Sequence, residues 1–364
     1  MKKVFVISNM YPTQDHISYG IFVKNQVDSL KKAGMDVEVG VNTNPATGAK
    51  NALKKYAAWG LRVMKTGLFQ SNRISITHAH YVFPSGMFSL LLKRMFGIPY
   101  VVTAHGGDIE KMAKKNARIR KWTGMILRES AHVIAVGPVL AKQIEEDFNI
   151  PISKITIMSM GVNREIFKRG DQNEARATLQ LTTDEYLFTF VGNVIQQKGV
   201  EELLQAFQKV KERTDVKVKL AIIGSRRDMS FIEKIKPLVN EDVLLIDPVK
   251  QSELVTWFQA SDVFVLPSHI EGFGLVALEA IATGTPVIAS RVGGLVSLLE
   301  DGAGHLVEVQ NAKALAEEML RSIQETDYYA EESAETVLNI HDEKIITEKL
   351  IAIYESAIKQ GDRQ

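Results

Sequence analysis

The sequence has 364 residues, too many for one ordinary hydrophobic core and suited to two α/β domains. Its 45% hydrophobic and 24% charged content is that of a soluble globular protein, and the lack of cysteine excludes a disulfide framework and thiolate zinc sites. The net charge of +1 hides an asymmetry: residues 1–165 carry 23 Lys and Arg against 11 Asp and Glu, and the remainder 21 against 32. A basic first half calls for an anionic partner, whether nucleic acid, anionic lipid or a phosphorylated acceptor.

Strands alternate with helices from the first residues. Met1–Asn9 has too short an apolar run for a signal peptide and reads as a strand over Val4–Ile7. A polar loop with Tyr11-Pro12 and Tyr19-Gly20 leads into a helix, and Val37–Val41, Ile74–Thr77, Tyr100–Thr103, Val133–Val136 and Ile155–Ile157 continue the strands. Helices are expected near 86–96, 117–130 and 138–148. The polar stretch 165–185 reads as a linker, after which the rhythm restarts with Leu187–Val191, Val218–Ile223, Val243–Ile246, Val263–Leu266, Val287–Ala289 and Leu306–Val309. The last helix is expected over 342–359. The pattern is that of doubly wound open sheets, which bind ligands outside the carboxyl ends of their strands. No uncharged stretch of about 18 apolar residues occurs, because Lys93-Arg94 interrupts the best candidate, so no membrane span is expected.

Residues 50–65 form an amphipathic pattern. Lys50, Lys54, Lys55, Arg62 and Lys65 fall on one side, and Leu53, Tyr56, Trp59, Val63 and Met64 on the other. Two readings stand: a basic helix lying on an anionic membrane, with Lys111, Lys114, Lys115, Arg118, Arg120 and Lys121 adding charge, or a surface helix whose apolar face packs on its own domain. A nucleic-acid partner is not expected, since the first half lacks interleaved aromatic residues that would stack bases.

The densest chemistry lies in Pro267–Ser290. A buried strand ends at Pro267, a loop carries Glu271 and Gly272-Phe273-Gly274, and a helix runs from Leu275 towards Gly284. That helix is apolar all round except for Glu279, and a carboxylate on a buried helix is costly unless something binds it. The amides of Phe273, Gly274 and Leu275 at the helix start suit an anion. An anion there, with carboxylates on either side to take hydroxyls, implies a ligand that is part phosphate and part sugar.

Glu271 and Glu279, eight apart in E-G-F-G-L-V-A-L-E, resemble the paired-glutamate motif of retaining glycosyltransferases of family 4. The resemblance runs nearly the whole chain, with motifs denser in the second half. It implies the GT-B fold: two doubly wound parallel-sheet, Rossmann-like domains facing a central cleft, 1–167 for the acceptor and 168–341 for the donor, with the helix over 342–364 packed back on the first. It implies metal-independent transfer of a sugar, with retention, from a nucleotide-diphosphate donor to an acceptor hydroxyl. No cofactor is expected beyond that co-substrate, with UDP the expected nucleotide. Glu279 would hold the ribose hydroxyls and Glu271 the 3- and 4-hydroxyls of the sugar, while Gly272 to Leu275 cradle the diphosphate. The acceptor would be a glycan or lipid-linked sugar in cell-surface polysaccharide or glycolipid synthesis, and the protein would be cytoplasmic or peripheral on the inner face of the plasma membrane.

Further residues follow from the same resemblance. Gly192-Asn193-Val194-Ile195-Gln196-Gln197-Lys198-Gly199 resembles a G-R-x-x-x-x-K-G loop that grips diphosphate, with Asn193 where the family has arginine. Lys198 at a helix start opposes the helix dipole, so it is poorly placed for stability and well placed for an anion. Arg226 or Arg227, following Gly224 in the next strand-end loop, is the candidate to supply the missing charge. His105, in Ala104-His105-Gly106-Gly107-Asp108, resembles an H-G-x-D histidine that meets the donor sugar near its anomeric centre. Gly20 would approach phosphate and acceptor, and His80 and Asp108 are assigned to the acceptor side. His78 and His80 lack an obvious third ligand, so no metal is expected. Two departures stand out: Ser297 replaces the glutamate of a G-G-x-x-E element, and the turn Asp301–His305 is one residue short. An epimerase of the same fold, or a sugar-nucleotide binder without catalysis, are the alternatives.

Overall fold

The computed structural model describes residues 3–44, 49–325, 328 and 330–361. The chain divides into two compact units, Met1–Met160 with Glu343–Gln364, and Gly161–Asp342.

The first unit is a six-stranded parallel sheet: β1 Lys3–Ser8, β2 Asp36–Val41, β3 Ile74–His80, β4 Tyr100–Ala104, β5 His132–Ala135 and β6 Ile155–Ile157, in the order β2-β1-β3-β4-β5-β6. Period-two alternation sends side chains of β1 to opposite faces. Val4 and Val6 join Val23, Val27 and Leu30 of the helix Ile21–Lys32, whereas Phe5 and Ile7 join Trp59, Val63 and Leu92. The last helix, Glu343–Gly361, belongs to this unit and lays Ile346, Leu350, Tyr354, Ala357 and Ile358 on the Val4–Val6 face. Those positions recur at helical spacing, which is why one stripe can be buried.

The helix Ala49–Gln70 settles one of the two readings of its apolar side. Trp59 and Val63 are fully buried, Tyr56 and Met64 pack beside them, and Trp59 Nε1 donates to the Gly40 carbonyl at 2.9 Å. That side faces the domain. The side chains of Lys50, Leu53 and Lys54 lie outside the described residues. Among the described residues no helix is long and apolar enough to cross a membrane.

The second unit repeats the architecture with β7 Tyr186–Val191, β8 Val218–Ile223, β9 Val243–Ile246, β10 Val263–Leu266, β11 Val287–Ser290 and β12 His305–Val307, in the order β12-β11-β10-β7-β8-β9. The stretch read as a linker contains the helix Gln172–Thr178, tied into this unit by Arg176, which is 4% exposed and donates to Asp262 Oδ2 at 2.6 Å and to the Ala260 carbonyl at 3.0 Å. A buried ion pair holds it, so polarity alone mimicked a linker. In each sheet the chain winds outward, then crosses back over its first strand. The loops after β1 and β3, and those after β7 and β10, therefore converge where the strand order reverses.

Candidate active site

In the second unit the loops after β7 and β10 touch. Gly199 has φ +68°, and a Cβ there would stand 1.9 Å from the Pro267 carbonyl oxygen, so only glycine permits the approach. The His269 amide donates to the Gln197 carbonyl at 2.9 Å. This seam brings Lys198 Nζ to 2.6 Å from Glu271 Oε2, with Ser268 Oγ donating to the same oxygen at 3.4 Å. The two side chains are 25% and 18% exposed, so solvent screens this pair less than a surface one while leaving both within reach of a ligand.

The turn carrying Glu271 rests on a second turn. A Cβ on Gly293 would stand 1.8 Å from the Glu271 carbonyl oxygen and one on Gly294 2.4 Å from that of Gly272, and the Gly294 amide donates to the Glu271 carbonyl at 3.2 Å. Gly274, at φ +93°, starts the helix Leu275–Ala282 with no side chain capping it. Its first amides are thus left to solvent or ligand. The Phe273 ring is buried edge-on against His341, centroids 4.9 Å apart, so this residue offers a ligand its backbone.

Glu279 is 6% exposed and accepts from Gln251 Nε2 at 3.4 Å. Burial, weakly opposed by that bond, pushes its carboxyl up to about 8. Ser297, where the family pattern has glutamate, turns its hydroxyl back on the Gly294 carbonyl at 3.0 Å. Asn193 is exposed, and its loop is fixed by its neighbours: Val194 donates to the Ser225 carbonyl at 3.0 Å, and a Cβ on Gly224 would meet the Gly192 carbonyl oxygen at 1.8 Å. Arg226 Nη2 pairs with Asp247 at 2.6 Å. Sequence reasoning missed His269, whose Nε2 lies 3.1 Å from Glu202 Oε1. The signal was there: His269 stands two residues before Glu271, and Glu202 lies in the first turn of the helix that follows Lys198.

In the first unit β3 and β4 gather imidazoles. His80 Nδ1 lies 3.2 Å from His105 Nε2. The His105 ring sits 4.9 Å from Phe22 and 4.6 Å from Tyr81, centroid to centroid. Tyr81 is held at φ +70°, a strained conformation for a bulky residue. His78 bonds Tyr354 Oη at 2.6 Å and Thr103 Oγ1 at 2.8 Å, a link to the last helix that no local pattern announced. Burial lowers all three histidines, His80 to about 3, so the cluster is neutral at neutral pH. Asp108 is buried and accepts from the Val82 amide at 2.7 Å and the His105 amide at 3.1 Å. Desolvation outruns those bonds and raises its carboxyl to about 6. His80 and Asp108 are thus interior groups that hold His105. Gly20, at φ +73°, starts the helix Ile21–Lys32, and a Cβ there would stand 2.7 Å from the Met10 carbonyl. Among the described residues no group of three or more His, Asp or Glu is arranged to hold a metal.

Two family models match: Glycosyltransferase Family 4 over residues 20–166 and Glycosyl transferases group 1 over residues 171–336. The chain is 30% identical to the D-inositol 3-phosphate glycosyltransferase of Thermobispora bispora over 299 residues, covering 76% of this chain and 68% of that one. It spans 55% to 65% of the length of several other curated relatives. Among solved structures, sucrose-phosphate synthase from Thermosynechococcus elongatus aligns with a TM-score of 0.81 at 21% identity, over 99% of this chain and 100% of that one. HepE of Anabaena in complex with UDP-glucose aligns with a TM-score of 0.78 at 16% identity, over 98% and 100%. At those identities the structural likeness shows the fold.

Proposed function

The chain belongs to the family-4-like glycosyltransferases of GT-B fold, and on that premise we propose that it moves a sugar from a nucleoside diphosphate to an acceptor hydroxyl with retention. UDP is the proposed nucleotide, in keeping with the UDP-glucose complex of a protein of the same fold. The observation that carries this reading is the Lys198–Glu271 pair beside the uncapped start of the helix Leu275–Ala282. One cation and a row of amides suit a diphosphate; one carboxylate suits sugar hydroxyls.

When the donor enters, the pair separates: Lys198 turns to the diphosphate and Glu271 to the 3- and 4-hydroxyls of the sugar. Glu279 takes the ribose hydroxyls. The bond from C1 to the phosphate oxygen breaks, and the bond from C1 to the acceptor oxygen forms on the same face. The acceptor proton passes to the departing phosphate. Lys198 and the amides of Phe273 to Leu275 stabilise the charge that develops there, and this preorganised electrostatic term replaces a metal. Asn193 leaves one cation fewer than the family pattern, with Arg226 or Arg227 as the replacement. Gly20 and His105 serve the acceptor side, His80 and Asp108 by holding His105. The acceptor is a glycan or lipid-linked sugar of a cell-surface polymer or glycolipid.

Thermal-shift screening against UDP, GDP and ADP sugars identifies the donor, and NMR of the product gives the anomeric configuration. UDP release coupled to an acceptor-linked product of unchanged configuration is expected. A new sugar isomer from donor alone would make the protein an epimerase. Binding without turnover for every acceptor would make it a binder.

A further inference from the structure

The loop after β10 carries a histidine whose two ring nitrogens reach two other loops. His269 Nε2 lies 3.1 Å from Oε1 of Glu202, in the first turn of the helix Val200–Lys211 that follows β7. His269 Nδ1 lies 3.4 Å from Nε2 of Gln310, between β12 and the helix Ala312–Gln324. The partners fix the proton. A carboxylate only accepts, so the imidazole Nε2 carries the hydrogen and donates it to Glu202, while Nδ1 accepts from the Gln310 amide. Gln310 takes φ +58°, uncommon for a residue with a side chain, in the loop that delivers that amide. The His269 and Glu202 side chains are 12% and 18% exposed, so the bond is partly shielded from water.

Left to itself, Glu202 would oppose an anionic ligand. Gly199 precedes its helix, which no side chain caps, and Glu202 is the third helical residue. A glutamate at that position commonly folds back on the amides of its own helix start, and the helix dipole favours a negative charge there. Those amides and Lys198, four residues earlier, are also what a diphosphate needs. A free Glu202 would compete with the ligand for both. The neighbouring acids are already committed: Glu201 accepts from Lys234 Nζ at 2.5 Å, and Glu271 from Lys198 Nζ at 2.6 Å. Among the described residues His269 is the one side chain bonded to Glu202, and Glu202 Oε2 is buried with no partner. No second hydrogen bond from a side chain restrains that carboxylate.

We propose that His269 is a positioning residue of the donor site: it holds the Glu202 carboxylate away from Lys198 and the helix start, and so keeps both open to the diphosphate of the donor. This assignment rests on the donor site proposed above. The His269 amide donates to the Gln197 carbonyl at 2.9 Å, next to Lys198, so the ring stands on the seam that aligns the Lys198–Glu271 pair. Glutamine would place an amide nitrogen about where the imidazole Nε2 stands, and asparagine about where Nδ1 stands. Those two substitutions therefore separate the bond to Glu202 from the volume of the side chain.

The test is the calorimetric affinity of the full chain for UDP. His269→Ala should bind at least about fivefold more weakly, which is what one unit charge does to another about 4 Å away even at the dielectric of water. Its donor KM should rise in step, while kcat at saturating donor moves less. Glu202→Ala should bind at least as tightly as wild type. The double variant His269→Ala with Glu202→Ala should recover wild-type affinity, because no carboxylate is left to compete. His269→Gln should keep wild-type affinity and His269→Asn should behave as His269→Ala; that pair carries the test should His269→Ala fail to fold. A double variant as weak as His269→Ala, or His269→Gln as weak as His269→Asn, overturns the proposal, since the ring would then act by packing alone. So does wild-type affinity in His269→Ala where Lys198→Ala has lost it. Wild-type affinity in Lys198→Ala as well would remove the diphosphate grip itself, and this proposal with it.

Discussion

At the strand reversal of the second unit, the loops after β7 and β10 bring Lys198 and Glu271 into an ion pair. At that of the first unit, β1 and β3, with β4 alongside, gather rings around His105: His80, Tyr81 and Phe22. Both sites stand at the carboxyl ends of a parallel sheet because strand order alone decides where loops converge. Charge is decided by the loops. Glycine-permitted contacts force the lysine and glutamate together in one, whereas burial keeps three imidazoles neutral in the other. A partly buried ion pair that still reaches solvent can exchange its partner for a charged ligand. A neutral buried cluster has no charge to offer and suits positioning.

Substitution on the charged side should break this contrast hardest. Glu271→Ala is expected to lower turnover by roughly 10²–10³-fold, the range for removing one preorganised polar contact. Initial rates with the donor found by screening measure it, and near-normal turnover would remove Glu271 from the reaction. Lys198→Ala should weaken UDP binding while leaving the melting temperature almost unchanged, since Glu271 at 18% exposure keeps contact with solvent.

Glu279→Gln sharpens the same side through pH. The folded carboxyl titrates at about 8 against an ordinary 4.5. Between those values the folded chain holds a proton that the unfolded chain releases, so stability falls as pH rises and the loss is complete above about 8. Wild type should lose about 2 kcal/mol in urea unfolding between about pH 6 and about pH 8, and Glu279→Gln should flatten that slope. Hydroxyl donors favour the ionised form, so bound nucleotide should release a proton near pH 7.5 and make the calorimetric enthalpy depend on buffer. Parallel stability curves for the two proteins would show that Glu279 is not the group responsible.

The inner strands were legible because their apolar runs are covered on both faces, as in Val263–Leu266, and the edge strands because short apolar runs there are bounded by turn residues. Glu279 was legible for the same reason: a lone carboxylate on an otherwise apolar helix is buried wherever that helix packs. Polar partners far apart in sequence were not. Tyr354 meets His78 across 276 residues, Glu202 meets His269 across 67, and Arg176 meets Asp262 across 86. Nothing local marks either member. Gly20 and Asp108 illustrate another limit, since a glycine at a helix start and an acid after a strand look alike whether they touch ligand or backbone.

The neutral cluster should respond differently. Tyr354→Phe leaves His78 Nδ1 buried without its partner and should cost about 1–2 kcal/mol in urea unfolding, with little change in turnover. A tenfold loss of turnover at unchanged stability would mean that the last helix acts on the chemistry and not only on packing.

The smallest effect tests whether the charged side is complete. Arg226 is paired with Asp247, which is 81% exposed, so Arg226→Ala should change stability by less than about 0.5 kcal/mol. If Arg226 supplies the cation that Asn193 lacks, it must leave Asp247 for the diphosphate. The variant should then raise the donor KM several-fold while kcat moves less. Asn193→Arg added to Arg226→Ala should restore the wild-type KM, because it returns the cation to the adjoining loop that Gly224 holds against Gly192. A wild-type KM in both Arg226→Ala and Arg227→Ala would leave Lys198 and the helix amides as the whole of the diphosphate grip.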